Sequence, residues 1–239
     1  MVKKGELLYE GKAKRLYITD DETVLWVEYL NQATASNGLR KDMIQGKGEL
    51  NNKITSLIFE ALAKCGIRQH FVKKISETEQ LIQKVEIIPL EVVLRNIAAG
   101  SFSKRLGVKE GKKLSFPIVE FYFKEDSLDD PFINDEHVLV LKIANREEIA
   151  LLKAEICKVN EVLTELFHKA KIKLIDFKLE FGRLSDGSII LADEISPDTC
   201  RLWDLETNEH LDKDVYRREI GDLVSVYKEV LTRLLENEI

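Results

Sequence analysis

Short apolar runs separated by polar residues open the chain, which predicts strands. Leu7-Leu8-Tyr9, Leu16-Tyr17-Ile18 and Val24-Leu25-Trp26-Val27 are short β-rich runs, and Asp20-Asp21-Glu22 marks a turn between the last two. Residues 30–49 are polar and carry Gly38, Gly46 and Gly48, which predicts a long functional loop. The period changes at Leu50. Leu50, Ile54, Leu57, Ile58, Ala61 and Leu62 recur at helical spacing, and Gly66 fits a C-terminal stop. Phe71–Ile75 and Gln80–Val85 read as two more strands. Ile87-Ile88-Pro89-Leu90 then runs into the apolar strand Val92-Val93-Leu94, with Pro89 suited to a crossing segment or a strand start. The change between 84 and 89 sets the expected boundary between an N-terminal lobe, residues 1–86, and a C-terminal lobe, residues 87–239.

The second half predicts two amphipathic helices. One runs from about Glu147 to Ala170, with Leu152, Ile156, Val159, Leu163, Leu166 and Phe167 on one face. The other runs from about Tyr216 to Leu235 and includes Ile220, Leu223, Val224, Tyr227, Val230, Leu231 and Leu234. Leu174–Asp193 between them reads as a hairpin.

Composition narrows the class. With 239 residues, 44% apolar and 33% charged, the chain has ordinary globular usage and is long enough for a sizeable core. A net charge of −6 argues against a general nucleic-acid or membrane-surface binder. Cys65, Cys157 and Cys200 are too few and too scattered for a disulfide framework or a zinc site. The first residues lack the apolar run of a signal peptide, and no uncharged apolar stretch is long enough to span a bilayer. A cytoplasmic protein is expected.

The hairpin carries the strongest chemical signal. In Leu174-Ile175-Asp176-Phe177-Lys178-Leu179-Glu180-Phe181-Gly182, alternation sends Ile175, Phe177, Leu179 and Phe181 to the core and Asp176, Lys178 and Glu180 to the other face. A two-residue Asp186-Gly187 turn would pair Ser185 with Ser188 and place Glu180 opposite Asp193. Two carboxylates facing each other repel unless neutralised, and Mg²⁺ is commonly held by one or two carboxylates plus substrate phosphates. Glu180 and Asp193 are therefore candidate Mg²⁺ ligands, Lys178 a phosphate contact and Asp176 a substrate-orienting group. The same alternation is also what any half-solvated antiparallel strand shows, and a one-residue slip would separate the carboxylates.

Three other stretches add to this. Glu91, Val93 and Arg95 share a strand face ahead of Ala98-Ala99-Gly100-Ser101, a small-residue turn beside which Arg95 can clamp an oxyanion. The plain alternative is a structural Glu91–Arg95 ion pair. Gly11-Lys12-Ala13-Lys14-Arg15 is a basic loop that fits a polyphosphate cover, but with the GxxxxGK[ST] pattern missing its residues alone favour a solvated basic turn. Glu194-Ile195-Ser196-Pro197-Asp198-Thr199-Cys200-Arg201 leaves the proposed metal strand, so Asp198 and Arg201 should lie beside the cation. The four histidines form no HxxxH or HExxH pattern, and there is no GxSxG elbow.

Together these stretches resemble the SAICAR synthetase family (phosphoribosylaminoimidazole-succinocarboxamide synthases). Ile87–Ser101 and Leu174–Gly182 are similar to its two long motifs, and Gly11-Lys12-Ala13-Lys14, Gly46-Lys47-Gly48, Asp130-Pro131 and Ser196-Pro197-Asp198 fall in the family's order. The resemblance covers nearly the whole chain and fits the short bacterial form. It implies an α+β, two-lobed fold, kinase-like and ATP-grasp-like, with an N-terminal antiparallel-sheet lobe, a larger α/β lobe and ATP in the cleft. It implies an ATP-dependent ligase of purine biosynthesis that joins L-aspartate to the aminoimidazole carboxylate ribonucleotide, with Mg²⁺ and a homodimer. Carried over residue by residue, it implies that Lys12, Ala13 and Lys14 cover the ATP phosphates and that Lys84, Val85, Glu86 and Ile87 form the adenine hinge. Glu180 and Asp193 match Mg²⁺ positions, and Asp176 and Lys178 match active-site positions. Arg95, Ser101 and Arg201 match the grip on the phosphoribosyl substrate, with Arg217, Asp198 and Asp130 as further candidates. Some relatives carry Asp where this chain has Asn37, so Asn37 receives no metal or base role. A kinase of the same lobes should show HRD and DFG triplets, and neither occurs. A non-catalytic nucleotide-binding module would tolerate loss of Glu180 and Asp193, yet both are present.

Overall fold

The computed structural model describes residues 2–35 and 40–237. Asn37 and its turn lie outside the described residues. The chain opens with antiparallel strands β1 (Lys4–Glu10), β2 (Lys14–Thr19) and β3 (Val24–Tyr29). Alternation buries Leu25, Val27 and Tyr29 of β3. The stretch expected to be a loop instead holds a short hairpin, β4 (Gln32–Ala35) with β5 (Arg40–Met43). Its buried residues are Ala33 and Ala35, small enough to leave little hydrophobic signal. Helix α1 (Lys47–Lys64) follows, started by left-handed Gly46 and closed before left-handed Gly66. It buries Leu50, Ile54, Ile58 and Leu62, as its period predicts. Strands β6 (Phe71–Lys74) and β7 (Glu79–Gln83) complete a sheet of order β1-β2-β3-β7-β6.

The second sheet begins with β8 (Glu86–Ile87) and β9 (Leu90–Ile97). Next come α2 (Gly100–Leu106), β10 (Lys113–Phe123), β11 (Phe132–Ile133), α3 (Asp135–Val140) and α4 (Arg146–Lys169). Strands β12 (Ile172–Arg183), β13 (Ile189–Ala192) and β14 (Cys200–Asp204) lead to α5 (Asp214–Arg217) and α6 (Leu223–Glu236). The order is β11-β10-β9-β12-β13, with β8 and β14 also paired to β12. Strand β12 is thus the spine of the sheet. Helix α4 starts on a capping box, Asn145 with Glu148, worth about 1 kcal/mol. Its buried Leu152, Ile156, Val159, Leu163 and Phe167 pack in one core with α1 and the second sheet, each contributing about 1.5–3 kcal/mol relative to exposure.

Two further expectations are corrected. The helix expected over 216–235 is broken. Glu219 is left-handed (φ 57), the Ile220 amide closes back on the Val215 carbonyl, and Asp222 caps a new helix through Ser225. Ile220 is exposed rather than on the buried face. The β12–β13 register is also shifted by one residue: Glu180 pairs with Ala192, not Asp193. The turn is a three-residue loop, Ser185-Asp186-Gly187, closed by the Leu184 amide on the Ser188 carbonyl, with Gly187 left-handed.

One acid-labile contact stands out in the fold. The Asp204 carboxylate accepts from the Thr207 and Glu206 amides and from Arg233. The Thr207 amide and Arg233 together hold it well below the usual carboxylate range. Because the folded value is depressed, its stabilisation is complete above about pH 4 and is lost as pH falls through the folded value. Asp204→Asn should therefore lower Tm at pH 6 and narrow the Tm difference between pH 6 and pH 3. An unchanged acid slope in melting curves would contradict this.

Candidate functional site

The two sheets face each other across a cleft of about 900 Å³. Asp176, Lys178 and Glu180 of β12 all line it, as alternation requires, while Leu179 and Phe181 point into the core. Asp193 lines it too, despite the shifted register. Asp193 sits at φ 59, just past the end of β13, and this left-handed turn breaks the alternation that would have sent its side chain away. Glu180 and Asp193 remain close enough to couple electrostatically.

Lysines from three parts of the chain surround these carboxylates and their neighbours. Lys14 of β2 pairs with Asp193 and lies 3.7 Å from Glu194. Lys124, just after β10, pairs with Glu180, and Lys178 pairs with Glu91. Burial works to raise the Asp193 carboxyl, but Lys14 and Lys124 outweigh it and hold it at about 2. Burial and the neighbouring Asp193 push Glu180 up. Burial likewise raises Glu194. Its buried Oε2 has no hydrogen-bond partner among the described residues. Carboxylates of this kind are the hard oxygen donors that Mg²⁺ takes, although Glu180, Asp193 and Glu194 do not form a set whose ligand atoms all lie within 4.8 Å of one another, as His210, Asp212 and Asp214 do. Lys12 reaches across the cleft to Asp126 at 2.6 Å, and Ala13 anchors the basic loop by accepting from the Leu30 amide at 2.8 Å.

The segment linking the sheets is held close by Gly182. A Cβ there would lie 2.6 Å from the Val85 Cβ. Val85 and Ile87 line the cleft, whereas Lys84 and Glu86 do not. Behind them His70 is buried. Burial brings its imidazole down to about 4, so it is neutral near pH 7. Nε2 faces the Asp193 carbonyl at 3.0 Å and therefore carries the proton.

The far end of the cleft is built on arginines. Arg95 donates to Glu120 at 2.8 Å, Asp176 at 2.5 Å, Ser101 at 3.0 Å and Tyr122 at 3.1 Å. The expected alternative pairing with Glu91 does not form, because Glu91 takes Lys178. Arg201 joins Asp176 at 2.9 Å to Asp214 at 3.0 Å, and Arg217 reaches Asp214 at 2.7 Å. Burial works against the Arg95 and Arg201 charges, yet Asp176 and their other carboxylate partners raise both. Asp198, expected beside the cation, is held by Lys47 at 2.6 Å and by the Tyr227 hydroxyl, and its charge helps raise Glu194. Burial opposes its charge, but Lys213 and Lys47 hold it well below the carboxylate range. Lys213 also faces the cleft. Its Nζ is 3.8 Å from the same, already occupied carboxylate, and burial lowers its ammonium. Asp130 lines the cleft with left-handed backbone, its carboxyl raised by burial and by Glu91.

Sequence reasoning missed Lys124, Glu194, Lys213 and His70. Glu194 was within reach, since it follows Asp193 directly. The others gain their importance from partners 50 or more residues away or from burial, as Lys124 does with Glu180 (|i−j| = 56) and His70 with Asp193 (|i−j| = 123).

A cleft between two sheets, with paired lysines and carboxylates at one end and guanidiniums at the other, defines a two-lobed protein for phosphorylated ligands. The family described as SAICAR synthetase matches residues 7–234, and the chain belongs to that family. It is 64% identical over 236 residues to phosphoribosylaminoimidazole-succinocarboxamide synthase of Lactococcus lactis subsp. lactis, covering 99% of each. The Enterococcus faecalis synthase is 63% identical, over 98% of this chain and 99% of the relative. Among solved structures, the synthase of Ehrlichia chaffeensis superposes with a TM-score of 0.94 at 44% identity, covering 96% of this chain and 98% of that one. A SAICAR synthetase in complex with ADP gives 0.93 at 46% identity, covering 97% and 98%.

Gly100 offers a direct test of the arginine end. It is left-handed (φ 52), and a Cβ would fall 2.6 Å from Arg201 Cζ. Gly100→Ala should cost about 1–2 kcal/mol of stability and displace Arg201. If the arginine end holds a phosphate apart from the nucleotide, affinity for ribose 5-phosphate should fall more than affinity for ADP, as read by calorimetry. Equal losses for both ligands would contradict this geometry.

Proposed function

We propose that this chain is an ATP-dependent carbon–nitrogen ligase of purine biosynthesis. It would join L-aspartate to the aminoimidazole carboxylate ribonucleotide and give SAICAR, ADP and phosphate. The observation that carries this reading is the single cleft in which the Glu180–Asp193 carboxylate pair and the Arg95–Arg201 pair lie at opposite ends of one strand face.

The chemistry needs such a layout. An amine does not displace oxide from a carboxylate, because the carbon is electron-rich and oxide is a poor leaving group. Transfer of the γ-phosphoryl group to one carboxylate oxygen gives an acyl phosphate and ADP. The aspartate amine then attacks the acyl carbon and phosphate leaves. Glu180 and Asp193, with Glu194 beside them, would hold Mg²⁺, which when bound offsets charge on the phosphoryl group. Lys12, Lys14 and Lys178 supply fixed positive charge at the phosphates. Val85 and Ile87 give the base an apolar wall. Arg95, Ser101 and Arg201 hold the ribose phosphate, and Asp176 fixes both guanidiniums rather than meeting the substrate itself. Lys213 and Arg217 are the cations we assign to the aspartate carboxylates, because the carboxylate nearest Lys213 is already paired. Holding the reactants in line supplies much of the acceleration. A cytoplasmic homodimer, as the sequence resemblance implies, completes the reading.

The test is to supply ATP, Mg²⁺, the carboxylate ribonucleotide and L-aspartate, omit each in turn, and follow ADP and SAICAR. Product should need all four, and ADP release without aspartate incorporation would replace the ligase with a kinase or ATPase. Glu180→Gln and Asp193→Asn should each lower kcat by about 100-fold or more with little change in Tm. Full activity in both would remove the cation assignment. Lys213→Met should raise KM for aspartate by about 10-fold or more and leave KM for ATP unchanged. The reverse pattern would contradict the aspartate assignment.

A further inference from the structure

We propose that His70 is a positioning residue that aims the Asp193 carboxylate by holding its backbone. The proposal rests on the cation role assigned to Asp193 above. By its pairing, β13 sets Ala192 rather than Asp193 opposite Glu180. Asp193 joins Glu180 in the cleft only because its backbone turns left-handed, a conformation that resists a residue with a Cβ and persists only when its surroundings hold it. The His70 ring supplies that hold, through Nε2–H donated to the Asp193 carbonyl at 3.0 Å.

His70 is itself fixed from three sides. Its amide donates to the Leu191 carbonyl at 2.9 Å, and its carbonyl accepts from the Gln83 amide at 2.6 Å. The Phe59 ring packs edge-on against the imidazole, with centroids 5.6 Å apart. One residue therefore ties the end of β7, beside the hinge, to the strand that carries Asp193. The choice of side chain follows from its surroundings. A lysine or arginine would put a second cation near Lys14, whereas a neutral imidazole gives a donor without charge. The imidazole has a cost that a purely packing residue would avoid: its buried Nδ1 has no hydrogen-bond partner among the described residues. A leucine would fill the space without that cost, and the donor to Asp193 is what the histidine adds.

The test uses the full chain carrying His70→Gln, His70→Asn or Asp193→Asn. A glutamine amide nitrogen reaches the position of Nε2, whereas an asparagine reaches only that of Nδ1. ADP affinity is measured by calorimetry with Mg²⁺ and with EDTA, and kcat and KM for ATP are measured alongside. Wild type should bind ADP more tightly with Mg²⁺, and Asp193→Asn should lose that gain. His70→Asn should lose about 10-fold of the gain while keeping its Mg²⁺-free affinity, with a matching loss in kcat. His70→Gln should restore most of both. A retained gain in His70→Asn, a lost gain in His70→Gln, or an equal fall in Mg²⁺-free affinity would each overturn the proposal. A gain retained in Asp193→Asn would instead overturn the cation assignment, and the His70 role with it.

Discussion

Asp176 can be buried and charged only because two guanidiniums close on it. Across β9 it faces Arg95, and across β14 it faces Arg201, directly in register on both sides. Removing one partner of such a buried set typically costs about 3–5 kcal/mol, because the remaining charge stays desolvated. The triad therefore selects the alignment of three strands at once, since a one-residue slip would send each charge to the wrong face. Once that alignment is set, the period of the strand does the rest. Lys178 and Glu180 follow on the same face, two and four residues along β12, and the guanidinium end of the cleft is joined rigidly to the carboxylate end.

The two sheets meet through charge as well as through packing, since Phe71 of β6 lies in the main core with Phe181 and Leu191 of the second sheet. Lys14 of the first sheet reaches Asp193 beside the second, and Lys12 reaches Asp126. Apolar side chains of α1 meanwhile share the main core with α4 and the second sheet. Strand β12 is thus packed into that core beneath the cleft, while the Lys12 and Lys14 ion pairs cross the cleft above it. That division suits a reaction in which three ligands must enter one cleft and be held in line.

Much of this was legible in the sequence wherever a local period carried it. The alternation in Leu174–Gly182 placed Asp176, Lys178 and Glu180 on one face, and the structure agrees. The partnership of Glu180 with Asp193 was reached through a register that is off by one. The third loop residue shifted the strand, and the left-handed turn at Asp193 brought the side chain back. Neither effect has a periodic signature. The break before α6 was hidden because Ile220 continues the helical pattern although it lies on the exposed surface. The β4–β5 hairpin was hidden because alanines form its buried face. Lys124, Lys213 and His70 were out of reach for a different reason. Each gains its role from groups that only the tertiary fold brings near.

The central claim is that this cleft activates a carboxylate by phosphoryl transfer before the amine attacks. The most direct measurement uses the ribonucleotide with ¹⁸O in both carboxylate oxygens and analyses the released phosphate by mass spectrometry. The account predicts one ¹⁸O in each phosphate formed and one retained in the amide of the product. Phosphate free of ¹⁸O, formed in step with product, would contradict it.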